Sequence, residues 1–78
     1  MPHIIVKMFP GRTKDQKQKL CDRIVKDVME IAECEEKAVS VGIEEIAREN
    51  WVEAVYKPDI SSKKDTLYKA PGYNPFGD

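Results

Sequence analysis

One histidine, two cysteines, one tryptophan and almost balanced charge leave this sequence few ways to do chemistry. The lone His3 has no cluster of possible metal ligands around it, and no Ser-His-Asp order can be assembled from a histidine so near the terminus. Cys21 and Cys34 form no Cys-x-x-Cys pair. Thirteen residues apart on one helix, they would lie about 20 Å from each other, far beyond disulfide reach. They read as reduced small hydrophobes of a cytoplasmic protein. Thirteen basic residues stand against fourteen acidic ones, so no nucleic-acid partner is expected. No apolar run approaches the roughly 18 residues that span a bilayer, and the opening residues lack the pattern of a secretory leader. Four glycines are scattered without a phosphate-binding loop.

What is present is a composition of 41% hydrophobic and 35% charged residues over 78 positions, which suits one globular domain, 1–78. At this size a single core is marginal without staples or oligomerisation. His3 to Phe9 is apolar and β-branched and is bounded by Pro10-Gly11. Ile4, Val6 and Met8 fall on one face; His3, Ile5, Lys7 and Phe9 fall on the other. Thr13-x-x-Gln16 is a capping box that starts a long helix just past Arg12. Leu20, Ile24, Val28 and Ile31, widened by Cys21, Val25 and Ala32, form its apolar stripe. The period is lost at Glu33–Glu36, with no glycine to mark the stop. Ala38 to Ile46 returns to period two, with Val39, Val41 and Ile43 facing one way.

A strand, a helix and a second strand make a β-α-β unit, and the long crossover argues for parallel strands. Such a unit leaves sheet edges uncovered, which self-association would remedy. Beyond Ala47, Val55-Tyr56 is a candidate short strand. Ser61 or Ser62 is a candidate cap for a short C-terminal helix through Tyr68, ended by Pro71-Gly72. The aromatic tail, Tyr73 to Asp78, suits docking on a partner subunit; a loose terminus is the alternative.

The candidates for chemistry are Pro2, Arg12 and Trp51. A small residue after an initiator Met generally allows that Met to be trimmed, which would leave Pro2 with a free secondary amine. A neutral amine can take a proton alpha to a carbonyl and return it elsewhere on a conjugated system, a tautomerisation that needs no cofactor. For that the amine pKa must be lowered by desolvation or a nearby cation. Arginine suits a substrate carboxylate and the charge of a developing enolate. Pro2 and Arg12 sit at opposite ends of the first strand and its loop, so a shared site calls for two subunits. His3 reads as a packing or hydrogen-bonding residue that could influence its neighbour Pro2.

Pro2, the apolar strand and Gly11-Arg12-Thr13-x-Asp15-Gln16-Lys17-x-x-Leu20 resemble the N-terminal half of the 4-oxalocrotonate tautomerase family. Arg48-Glu49-Asn50-Trp51 and Lys69-Ala70-Pro71-Gly72-Tyr73 resemble its longer-tailed, dimeric PptA-like branch. The resemblance implies an α+β fold: a β-α-β subunit with two parallel strands, one long helix and a short C-terminal helix, its sheet completed by oligomerisation. It implies Pro2 as general base, no cofactor and no metal, Arg12 as carboxylate ligand, and Trp51 as an aromatic pocket wall that keeps the site less polar. Ser40 stands in the second strand where the hexameric members carry an arginine, and a hydroxyl cannot replace a guanidinium as a charge clamp. A small monoacid enol or 2-keto acid, such as an aryl pyruvate, is then the expected substrate class, and a homodimer the expected assembly, with no membrane partner. The competing readings are a tautomerase-like fold kept as a binding module, and a related hydratase or dehalogenase.

Overall fold

The computed structural model describes residues 1–77; Asp78, the end of the aromatic tail, lies outside the described residues. The chain divides into two compact units, Met1–Glu45 and a second that begins at Ile46.

In the first unit, β1 (His3–Met8) and β2 (Ser40–Glu45) pair in parallel around α1 (Lys14–Ile31). The register sets His3 opposite Ser40, Ile4 opposite Val41, Ile5 opposite Gly42 and Val6 opposite Ile43. Because side chains alternate along a strand, Ile4, Val6, Val41 and Ile43 share one face, and all four are half-buried. The opposite face carries His3, Ser40, Ile5 and Gly42, and there Ile5 stays 49% exposed.

The capping box closes α1 as its sequence demands. Thr13 Oγ1 accepts from the Gln16 amide at 3.0 Å, and Gln16 Oε1 accepts from the Thr13 amide at 2.8 Å. The preceding turn needs its glycine, since Gly11 has φ of 129°. At the far end the helix stops without a glycine: Glu33 takes φ of 55°, and the Cys34 amide donates to the Met29 carbonyl at 3.2 Å. This is the six-to-one bond of a Schellman turn, with glutamate in the left-handed position where glycine is usual. The stop corrects two expectations. Cys34 lies beyond the helix, and both cysteines are free. The apolar stripe ends early, because Ile31 is 77% exposed and Ala32 is exposed, while Met29 joins Leu20, Ile24, Val25 and Val28 in half-buried positions. Lys17 Nζ meets Glu45 Oε2 at 3.1 Å and ties the start of α1 to the end of β2.

The second unit is built from tight and wide turns. A 3₁₀ turn, Arg48–Asn50, leads through Trp51 into a π-helix, Val52–Ile60, followed by a 3₁₀ segment, Ser61–Thr66. Val55-Tyr56 is therefore helical and not a strand. The apolar residues Val52, Val55, Tyr56 and Ile60 recur at helical spacing, which a two-residue window misses. Pro58 gives a reason for the wide turn: it lacks an N–H, and in an α-helix its ring would collide with the carbonyl four residues back. Neither Ser61 nor Ser62 caps the next segment. Ser62 Oγ instead donates to the Lys57 carbonyl at 2.6 Å, satisfying the end of the π-helix, and the segment stops at Thr66, short of Tyr68.

The tail overturns the reading of a loose terminus. Tyr73 and Phe76 pack on Tyr56 of the same chain, with ring centroids 5.8 and 5.6 Å apart. Val55, at 4% exposure, is the buried hydrophobe among the described residues.

Candidate active site

Pro2 is anchored by pairing that runs one residue past β1. The Ser40 amide donates to the Pro2 carbonyl at 3.2 Å, and Pro2 is half-buried. Met1 is fully exposed, so removing it sacrifices no packing. The same cross-strand step sets the Ser40 side chain beside its neighbour: Ser40 Oγ lies 2.7 Å from His3 Nδ1. Parallel register thus gathers Pro2, His3 and Ser40 at the N-terminal ends of both strands.

Arg12 sits at the other end of β1, exposed, between Gly11 and the helix cap at Thr13. Six extended residues separate it from the Pro2 end, roughly 20 Å of strand. One subunit does not bring the proposed base and the proposed carboxylate ligand together. Trp51 belongs to the second unit, where it is half-buried and its Nε1–H donates to the Tyr73 hydroxyl at 2.9 Å. That bond orients the indole at the start of the π-helix, a wide-turn geometry that recurs at functional sites. An open cleft of about 280 Å³ in the same unit lies between Tyr56, Leu67, Pro71 and Tyr73. Among the described residues, no group of three or more His, Cys, Asp or Glu side chains gathers to hold a metal.

Two contacts were not read from sequence. The His3–Ser40 bond spans 37 positions and becomes visible only when the two strands are put in register. The Trp51–Tyr73 bond depends on the tail folding back, which no local pattern announces.

The parallel β-α-β unit headed by Pro2 can be set beside known proteins. The profile of the family described as tautomerase enzyme matches residues 2–56, a span that begins at Pro2 and includes Arg12, Ser40 and Trp51. The chain belongs to the tautomerase family. It is 42% identical over 73 residues to a probable tautomerase of Xylella fastidiosa, covering 94% of this chain and 89% of that one. It is 38% identical over 74 residues to the tautomerase PptA of Cronobacter sakazakii, covering 94% and 97% of the two chains. This tautomerase-family chain also superposes on solved structures. YwhB, a homologue of 4-oxalocrotonate tautomerase, matches with TM-score 0.59 and 36% identity over 60% of this chain and 77% of that one. TomN, a 4-oxalocrotonate tautomerase homologue in the tomaymycin biosynthetic pathway, gives TM-score 0.62 and 28% identity over 64% and 77%. The fold is thus the 4-oxalocrotonate tautomerase fold.

Proposed function

We propose that the protein is a cofactor-independent keto–enol tautomerase whose general base is the Pro2 amine, freed when Met1 is removed. The observation that carries this reading is Pro2 itself: it is the first residue matched by the family, and β2 holds it through the Ser40 amide. On an enol acid the neutral amine takes the hydroxyl proton, the O–H bond breaks, and the resulting ammonium gives a proton to the adjacent carbon as the keto form appears. Arg12 holds the substrate carboxylate and counters enolate charge; for Trp51, the role of an aromatic pocket wall is what the family resemblance implies. Ser40 contributes a neutral contact in place of a second cation. The substrate is therefore a monoacid enol or 2-keto acid, of the aryl pyruvate kind, rather than a diacid.

An assembly supplies what one subunit lacks. A homodimer that brings Arg12 of one protomer toward Pro2 of its partner accounts for their separation along β1. We propose a cytoplasmic location on the reading of Cys21 and Cys34 as reduced thiols; separately, among the described residues no helix is long and apolar enough to cross a membrane.

Ketonisation of phenylenolpyruvate by the mature protein, compared with the same protein acetylated at Pro2, tests the reading. The rate should rise with pH through one ionisation, because the amine is neutral only above its pKa. Acetylation removes the lone pair and should abolish turnover. Equal rates in the two samples would mean that Pro2 is not the base.

A further inference from the structure

Ser40 and His3 face each other one residue away from the proposed base, and their geometry constrains what Ser40 can offer a ligand. The strand register sets the two opposite each other. The Ser40 amide is already committed to the Pro2 carbonyl at 3.2 Å. The side chain is then held by the 2.7 Å contact between Oγ and His3 Nδ1. Both residues are exposed on the face of the sheet opposite the half-buried Ile4, Val6, Val41 and Ile43, so a ligand can reach them. Next to them on that face stand Ile5 and Gly42, which bring no side-chain polar atom.

A serine hydroxyl has one hydrogen to give, and a ring nitrogen either gives or receives one. If Nδ1 receives, Ser40 spends its hydrogen on the ring and shows an incoming oxygen only lone pairs. If Nδ1–H gives, the Ser40 hydrogen is left for the ligand. We propose that His3 is a positioning residue: its Nδ1–H donates to Ser40 Oγ and turns the Ser40 hydroxyl outward, as the donor that holds one carboxylate oxygen beside Pro2. The proposal rests on the tautomerase reading and sharpens its specificity. A single hydroxyl donor fits a monoacid, because a hydroxyl is no charge clamp for a second carboxylate.

The test uses the mature oligomer and trans-cinnamate, an aryl carboxylate that cannot tautomerise, with affinity read from amide shifts. Ser40→Ala should weaken binding ~3–10-fold, the range of a single hydrogen bond. His3→Ala should weaken it ~2–5-fold, on the same scale. The double variant should bind no worse than Ser40→Ala alone, because His3 acts only through Ser40. His3→Asn keeps a side-chain N–H on the same stem and should restore affinity. Nitrogen-15 shifts of His3 should show the hydrogen on Nδ1 in the complex. With phenylenolpyruvate, the losses should fall on KM rather than kcat. Additive losses in the double variant, a bare Nδ1 in the complex, or no cinnamate binding by the native protein would overturn the assignment. Native protein that binds cinnamate with this variant pattern yet does not ketonise the enol would sink the tautomerase reading and leave the His3 assignment standing.

Discussion

The two units of this chain solve the problem of a small core in opposite ways. Met1–Glu45 follows regular periodicity, a capped helix over two parallel strands, yet no described side chain in it is fully buried. The unit that begins at Ile46 has little regular structure, yet it buries Val55 and gathers Tyr56, Tyr73 and Phe76 in ring contact. Regular secondary structure satisfies the backbone but does not by itself cover apolar faces. Two strands and one helix leave Ile5 and Ile31 exposed, so the first unit keeps apolar surface open to association, whereas the second packs Tyr73 and Phe76 on Tyr56 and still leaves both of them and Tyr68 exposed. Under the proposed mechanism, the base and the carboxylate ligand lie in the first unit.

The sharpest way to break this contrast is Val55→Asp. It would place an unpaired charge at the buried position of the second unit and should destabilise that unit by about 3–4 kcal/mol. Trp51 fluorescence should report unfolding while helical circular dichroism from α1 persists; loss of both signals together would show that the units fold as one. Arg12→Ala should cost about 1.5–3 kcal/mol of substrate binding, the value of a charge-assisted hydrogen bond, with some turnover retained. It should leave thermal stability nearly unchanged, since Arg12 is exposed; a large fall in melting temperature would make it a structural residue. Thr13→Ala removes one half of the capping box and should lower stability by ~1 kcal/mol, measured by urea unfolding. Smallest of all, Lys17→Ala breaks the partly exposed ion pair to Glu45 and should cost no more than about 1 kcal/mol, shrinking with added salt.

Local chain physics determined much of this protein from its sequence. The alternation in His3 to Phe9, the Thr13–Gln16 box and the stripe from Leu20 to Val28 act over one or two turns, and they read correctly as β-α-β. Pro2 and Arg12 stand out as candidates because a free secondary amine is a base and a guanidinium suits a carboxylate, and the family resemblance gave them their proposed roles. The ends of elements were harder. Glu33 in a left-handed position stops α1 through a backbone bond rather than a glycine, and Pro58 sits inside the π-helix Val52–Ile60, where a proline ordinarily argues against a helix. What tertiary structure alone decided are the contacts between distant positions. His3 meets Ser40 across 37 positions because parallel register aligns the strand ends, and Trp51 meets Tyr73 across 22 because the tail returns to Tyr56. Periodicity fixes which face a side chain takes, but its partner there is set by register and chain return, which depend on the packing of the whole unit.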